Sequence, residues 1–389
     1  MNPLLWFLLP VAATCGWLAA RWTQRNRSEG DRGSGLRADY FKGIDYLLND
    51  QQDKALDVFI QVLEVDASTA ETHLALGSLY RRRGEVDRAI RIHQNLIERS
   101  APNSTARVEA LLELGQDYLS AGLLDRAEDL FRELVDGQHF EVQALRQLID
   151  IYEQESDWRK AIEAAHDLER ATGTALGAVI AQYWCELAAR AREEGDLDAA
   201  EAHAGRALES DARCVRATLL QGHIWLARND GRTAFECFCK VEEQDPAFLS
   251  EIIEPLRDAA GRADLIVPLV DYLRHVVSSH GGISATLALA ELTEHELGKT
   301  EAAAFIAEQL RKRPSVRGFD RLMDLEIDNA PSDSREYAQT LKTLTTQLMS
   351  RRPIYKCSHC GFPARSMHWQ CPGCKHWNAV KPIQGVEGE

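Results

Sequence analysis

In residues 215–248, VRATLLQGHIWLARNDGRTAFECFCKVEEQDPAF, apolar positions recur at helical spacing on both sides of a polar turn, Asn229 to Arg232. That pattern predicts two amphipathic helices joined by a tight connection. The first carries Gly222 and Trp225, the second Ala234 and Phe238, and Asp245 with Pro246 marks the stop. Gly222 and Ala234 stand twelve residues apart, where only small side chains let two helices approach closely. Neither helix can bury its apolar face alone, so the unit is expected to stack on copies of itself.

Copies are present and keep phase. Gly43 with Ala55, Gly77 with Ala89, Gly115 with Ala127, Ala188 with Ala200 and Ala290 with Ala302 repeat the spacing. Three residues after the small residue stand Tyr46, Tyr80, Tyr118, Ala191 or Thr293, and the bulky position of each second helix holds Phe59, His93, Phe131, Ala204 or Ile306. Ile149 with Ala161 joins the series through Tyr152 and Trp158. Most steps are 34 residues, with extensions of four and five after the second and fourth units. This period and pattern resemble the tetratricopeptide repeat (TPR) over residues 36–314. A seventh copy fits residues 249–282 but is degenerate, with Pro268 at the alanine position. Residues 315–352 are expected to form a final helical pair that caps the stack.

The net charge of −15 is unevenly placed. Residues 1–42 hold six Lys/Arg against three Asp/Glu and residues 351–389 six against two, so the stretch between carries −22. An acidic body repels phosphates, which argues against nucleic acid as a partner. Met1 to Ala20 contain no charged side chain and at helical rise span about 30 Å, the thickness of a hydrocarbon core. Residues 1–22 are therefore a predicted transmembrane helix and 23–35 a linker. Arg21, Arg25 and Arg27 follow directly, which places the body on the cytoplasmic side of the membrane. A cleaved signal peptide is disfavoured, since no basic segment precedes the apolar run. Cys15 is a poor lipoprotein site for the same reason, and because Thr14 precedes it.

Five of the nine cysteines, Cys15, Cys185, Cys214, Cys237 and Cys239, are expected to be structural or inert thiols. The other four carry the sharpest chemistry. Cys357 and Cys360, then Cys371 and Cys374, form two CxxC knuckles within eighteen residues. Each knuckle turns two thiolates toward one cation, and together they supply a closed tetrahedral sulfur set. A cytoplasmic setting argues against a disulfide pair. His359, His368 and His376 lie nearby but are expected at the surface, because four sulfurs already fill the shell. Trp369 and Trp377 flank the second knuckle, placed to shield the sulfurs or to pack on the repeats. With three residues separating module from repeats, docking of one on the other is expected.

Catalytic patterns are wanting. There is no phosphate-binding GxxxxGK[ST] loop and no GxGxxG after a strand. His295 and Glu296 begin like a zinc-protease helix, but Lys299 stands where the second histidine belongs. Nothing in the chain argues for an enzyme.

Gly361 after the first cysteine pair and Pro372 within the second resemble rubredoxin-type knuckles, while Lys375 departs from the glycine usual after the last cysteine. The resemblance implies one metal ion, zinc with a structural role first and iron second. The predicted fold class is thus all-α, a TPR superhelical solenoid with an N-terminal transmembrane helix. A small rubredoxin-like or zinc-ribbon module follows at 353–379, and the tail, residues 380–389, is expected to be disordered. The order of parts, and above all residues 357–377, CSHCGFPARSMHWQCPGCKHW, resembles the lipopolysaccharide assembly protein B family of Gram-negative bacteria. That resemblance implies a non-enzymatic adaptor at the cell inner membrane. It would present the deacetylase LpxC to the membrane protease FtsH and restrain lipopolysaccharide output, and an inner-membrane regulator would relieve that action. A scaffold for synthesis and export enzymes without proteolytic delivery, and a membrane-bound electron carrier, are the alternatives. A homo-oligomer stays open. First-helix residues of TPRs line the concave face, which makes Glu113, Gln116, Arg146, Gln147, Asp150, Glu186, Arg216 and His223 the candidate partner contacts.

Overall fold

The computed structural model describes residues 41–46, 51, 54–55, 58–59, 70–102, 104–327, 332–350 and 352–389. The predicted membrane span and linker lie outside them, and among the described residues no helix is long and apolar enough to cross a membrane. The chain forms two compact units, Met1–Glu155 and Ser156–Glu389.

In the first unit the helices Ala70–Arg82, Val86–Arg99, Thr105–Ser120, Leu124–Asp136 and Glu141–Glu155 follow one another as antiparallel neighbours. The second unit continues the same alternation from Trp158–Thr172 through Gly177–Glu193, Leu197–Ser210, Val215–Ala227 and Gly231–Cys239. Helices Leu249–Ala263, Ile266–Ser279, Ile283–Leu297 and Lys299–Lys312 extend it, and Val316–Ile327 and Ser332–Ser350 close the helical part.

Four of the turns inside pairs are built alike. Seven residues after the small residue the backbone enters the left-handed region, at Gly84, Gly122, Gly195 and Asn229. Asp196 and Asp230, the next residues after Gly195 and Asn229, accept a hydrogen bond from the backbone N–H of Ala199 and Thr233 at 2.9 and 3.0 Å. The caps satisfy N–H groups that have no partner inside the helix.

The packing explains the small residues more specifically than the twelve-residue spacing alone. Ala55, Ala89, Ala127, Ala161, Ala200, Ala234 and Ala302 are all fully buried. Gly43, Gly77, Gly115 and Gly222, however, lie under the rings of Phe59, His93, Phe131 and Phe238, sixteen positions later. A Cβ on Gly43 would come within 2.8 Å of the Phe59 ring and one on Gly115 within 2.7 Å of the Phe131 ring; the other two pairs are tighter still. Where the ring is absent the small residue grows: Ala188 shares a core with Ala204, and Ala290 with Ile306.

The seventh pair departs from the expected register. Pro268 is exposed and does not occupy the alanine position. Leu269, Leu273 and Val276 are buried instead, each one residue later than the pattern predicts. The cause lies in the turn: the second helix begins at Ile266, ten residues after Leu256, which takes the place of the small residue, whereas Val86, Leu124, Leu197, Gly231 and Lys299 begin theirs nine residues after it. Pro268 sits in the first turn of Ile266–Ser279, where a missing N–H leaves no intrahelical bond unmade.

The ring-on-glycine contact is testable at Gly115. Gly115→Ala is expected to cost about 1–3 kcal/mol through overpacking, and Phe131→Ala about 3–5 kcal/mol through the cavity. Because the two touch, the double variant should lose less than the sum by at least about 0.5 kcal/mol in denaturant unfolding. Strict additivity would show that they do not share this space.

Candidate metal centre

The chain after Arg352 folds into a three-stranded antiparallel sheet, β1 (Tyr355–Cys357), β2 (Pro363–Ala364) and β3 (Val380–Pro382), in the order β2-β1-β3. Val380 pairs with Cys357 and Pro382 with Tyr355. Residues 380–389, expected to be disordered, therefore supply an edge strand. They also end in a turn, with the Val316 N–H bonded to the Val386 carbonyl at 2.9 Å.

Two knuckles of the same design hang from this sheet. In the first, the Cys357 N–H bonds the Phe362 carbonyl and the Gly361 N–H bonds the Cys357 carbonyl, at 2.9 and 3.0 Å. In the second, Cys371 with His376 and Lys375 with Cys371 repeat both bonds at 2.9 and 2.8 Å. Gly361 takes a left-handed φ of +78°, and Lys375, where the glycine was missed in the sequence, takes +59°. Lysine holds the glycine conformation, and the knuckle is intact.

The four Sγ atoms converge. Cys357 and Cys374 stand 3.8 Å apart, Cys360 and Cys371 3.7 Å, and all four lie within 4.8 Å of one another. A tetrahedron with metal–sulfur bonds of about 2.3 Å has edges of about 3.8 Å, so the set fits one ion, zinc or iron. Cys357 and Cys371 are buried, Cys374 is half-buried and Cys360 exposed, which leaves one edge of the site toward solvent. Burial raises the Cys357 thiol, but backbone N–H groups of Cys360 and His359 and the adjacent sulfurs bring it down to about 6. The His376 N–H favours the Cys374 thiolate, yet burial and the other sulfurs push that thiol up to about 12. One sulfur is thus prepared as thiolate, and the set sheds its remaining protons as an ion binds.

The module docks on the repeats of its own unit through side chains that flank the second knuckle. Trp369 stacks on Phe248 at 5.6 Å between centroids, and the Arg216 guanidinium lies over the Trp369 ring at 5.7 Å from its centroid. Trp377 meets Trp158 and Tyr183 edge-on at 6.0 and 5.9 Å. Lys381 bridges to Asp245 at 2.7 Å, and the Tyr355 hydroxyl donates to Glu251 at 3.0 Å. Farther along, the Glu389 carboxylate accepts from the Ser284 N–H and hydroxyl at 3.1 and 2.6 Å and pairs with Arg317. It thereby caps Ile283–Leu297, whose own N-cap residue, Gly282, has no side chain to do so. Of these contacts, only Trp369 and Trp377 carried a signal in the sequence, as aromatics beside the cysteines; Phe248, Trp158, Tyr183, Asp245, Glu251, Lys381 and Glu389 carried none.

The candidate partner contacts are dispersed. In the first unit Arg81 holds Glu113 at 2.6 Å and Gln116 at 2.9 Å, while its other nitrogen meets the fully buried Asp117 at 2.6 Å. His93 contacts the same Asp117 at 2.5 Å. Arg146 and Asp150 reach solvent and Gln147 is half-buried; protein packed around the solvent-facing Asp150 carboxyl partly desolvates it and, with Glu153, raises it above its usual value. In the second unit Glu186 and Arg216 form a bridge at 2.8 Å, with Arg216 buried. His223 lies edge-on to Phe238 at 5.5 Å, its pKa lowered by burial and by Arg192.

Residues 355–382 match the rubredoxin metal binding domain, and residues 68–138, 112–175 and 185–244 match tetratricopeptide repeats. Lipopolysaccharide assembly protein B of Escherichia coli K12 is 37% identical over 390 residues, covering 100% of both chains. The chain belongs to the lipopolysaccharide assembly protein B family. Its Haemophilus influenzae relative of the same name is 33% identical over 398 residues, again with 100% of both chains covered. Among solved structures, Pseudomonas aeruginosa pilF is 17% identical, covering 55% of this chain and 94% of that one, with a TM-score of 0.33. Family membership joins the repeats and the four-sulfur module in one protein, and the relatives are named for lipopolysaccharide assembly.

Two outcomes follow from the geometry. Chelation of the ion, or Cys371→Ser, should lower the melting temperature of the full chain and change tryptophan fluorescence as Trp369 and Trp377 leave their partners; an unchanged melt and spectrum would mean that the ion holds nothing in place. Lys375→Val should lower the stability of the metal-loaded protein by about 1–2 kcal/mol, because a β-branched residue resists a left-handed backbone. Lys375→Gly should leave it equal or higher, and the two melts compared side by side check the strain.

Proposed function

We propose that this protein is a membrane-anchored adaptor that presents the soluble deacetylase LpxC to the protease FtsH at the inner membrane. The full-length relationship to lipopolysaccharide assembly protein B carries this reading. In it, residues 1–22 cross the membrane and confine the repeats to the cytoplasmic surface. Confinement raises their effective concentration beside a membrane protease, so a substrate held by the repeats is delivered without any new contact between substrate and protease. An inner-membrane regulator of lipopolysaccharide synthesis acts through the membrane segment. The ion, zinc in this reading, has a structural part: it fixes the module against the repeats.

Because Arg216 is engaged with both Glu186 and Trp369, the partner surface is assigned first to Arg146, Gln147 and Asp150 in the first unit, and His223 is the separate candidate of the second. Glu113 and Gln116 contribute through the groups that Arg81 leaves uncovered. A scaffold that gathers synthesis and export enzymes would use the same parts, but would leave deacetylase turnover untouched.

Loss of the protein is expected to lengthen the deacetylase lifetime in cells severalfold, measured after a block of translation. Arg146→Glu with Asp150→Arg should reproduce that lengthening while the purified variant melts like the parent. A deacetylase half-life indifferent to depletion would exclude delivery and leave the scaffold reading.

A further inference from the structure

The closed shell poses a problem of access. Cys357 and Cys371 are 1% and 0% exposed, so a hydrated ion cannot reach all four sulfurs at once and must lose water in steps. Among the described residues, the edge of the site open to solvent is the one formed by Cys360 and Cys374. On that edge stand two exposed imidazoles, His359 and His376, with ring centroids 3.6 Å apart and planes 18° from parallel. Ligand atoms of His359, His376 and Cys374 all lie within 4.8 Å of one another, so Cys374 belongs both to this group and to the four-sulfur set. His376 Nδ1 is 3.0 Å from the Cys374 carbonyl. A hydrogen bond donated there fixes the tautomer and leaves the Nε2 lone pair for an ion, the usual arrangement of a metal-binding histidine.

We propose that His359 and His376, together with the Sγ of Cys374, form a loading site that takes a hydrated divalent zinc or iron ion from solution and passes it to the four sulfurs. Imidazole and thiolate both suit these ions, and imidazole exchanges with water without needing to be deprotonated first. In the first step two metal–water bonds break and two metal–nitrogen bonds form. The Cys374 sulfur then replaces a further water, any proton it carries passing to solvent. Finally Cys360, Cys357 and Cys371 replace the remaining waters and both imidazoles, again releasing their protons to solvent, and the rings return to their stacked position. No electrons are transferred. The reverse sequence releases the ion.

The test uses the full chain, reduced and stripped of metal, with zinc delivered from a chromogenic chelator in stopped flow. Replacing both residues, His359→Ala with His376→Ala, is expected to slow loading about tenfold, equivalent to about 1.4 kcal/mol in the rate-limiting step. The final zinc content and the melting temperature of the loaded protein should stay at parent values. His368→Ala, which removes the module's third histidine from outside the cluster, should load at the parent rate. A double variant that loads as fast as the parent overturns the proposal. A second measurement needs no variant: Co²⁺ mixed with the stripped parent should first give a spectrum with a single sulfur-to-cobalt contribution, before the four-sulfur spectrum develops. A four-sulfur spectrum from the earliest resolvable time, with no such precursor, would overturn the proposal as well.

Discussion

The contact on which both units depend joins a residue with little or no side chain on one helix to the residue sixteen positions later on the next. Interiors pack at near-crystalline density, so the constraint falls on the summed volume of the pair rather than on either identity. Gly115 therefore admits the ring of Phe131, whereas Ala188 goes with Ala204 and Ala290 with Ile306. The same accounting explains how a histidine entered the series. His93 puts a flat ring, somewhat smaller than phenyl, at the position that Phe59, Phe131 and Phe238 hold in other pairs, and is fully buried over Gly77. A buried ring nitrogen requires a partner, and Asp117 on the following repeat supplies one for Nδ1, while Nε2, turned to Gly77, has none among the described residues. Asp117 in turn is a buried carboxylate, tolerable because Arg81 also reaches it. One exchange of ring type thus converts an apolar contact into a polar chain that links two repeats.

Acidic side chains serve a second purpose along the first helices. Arg81 ties Ala70–Arg82 to Thr105–Ser120 through Glu113 and Asp117, and Arg216 ties Val215–Ala227 to Gly177–Glu193 through Glu186. In each unit a few arginines are therefore spent on holding neighbouring first helices together. The acidic excess of the repeats lies mostly on side chains outside these bridges, where it sets the field that a partner meets.

What could be known from the chain alone was what is local in it. The period of 34, the small-residue register and the two knuckles are spacings, and each corresponds to a structure built from residues close in sequence. The slip at Pro268 was hidden because a fixed period assumes a fixed turn, and one additional residue before Ile266 rotates every later side chain of that helix. The tail was misjudged for a different reason. Residues 380–389 hold only three aliphatic side chains, Val380, Ile383 and Val386, among charged residues, two glycines and a proline, too little apolar area to stay ordered alone. Their order comes from outside: β3 completes the sheet beside β1, Lys381 finds Asp245 136 residues back, and Glu389 finds Ser284 105 residues back. Composition cannot show that an unpaired strand edge and an uncapped helix are waiting for it. Nor could Trp369 and Trp377 announce their partners, since Phe248, Trp158 and Tyr183 look like ordinary repeat residues.

The module has almost no interior without its ion. Its buried apolar cluster consists of Cys357, Cys371, Ala364, Ala379 and Val380, with Tyr355, Phe362 and Cys374 against it, so three of these eight side chains are themselves ligands. So small a core holds little stability of its own, and a bound ion supplies folding energy directly. The second knuckle is also the part that sets the two tryptophans: the Asn378 N–H bonds the Trp369 carbonyl at 2.7 Å, and Gln370 pairs with Trp377 across the loop that contains Cys371 and Cys374. Metal binding therefore fixes the backbone from which Trp369 reaches Phe248 and Arg216 and Trp377 reaches Trp158 and Tyr183. Through these rings the four-sulfur module rests on the repeats, and Trp369 lies against the same Arg216 that bridges to Glu186 on the neighbouring first helix.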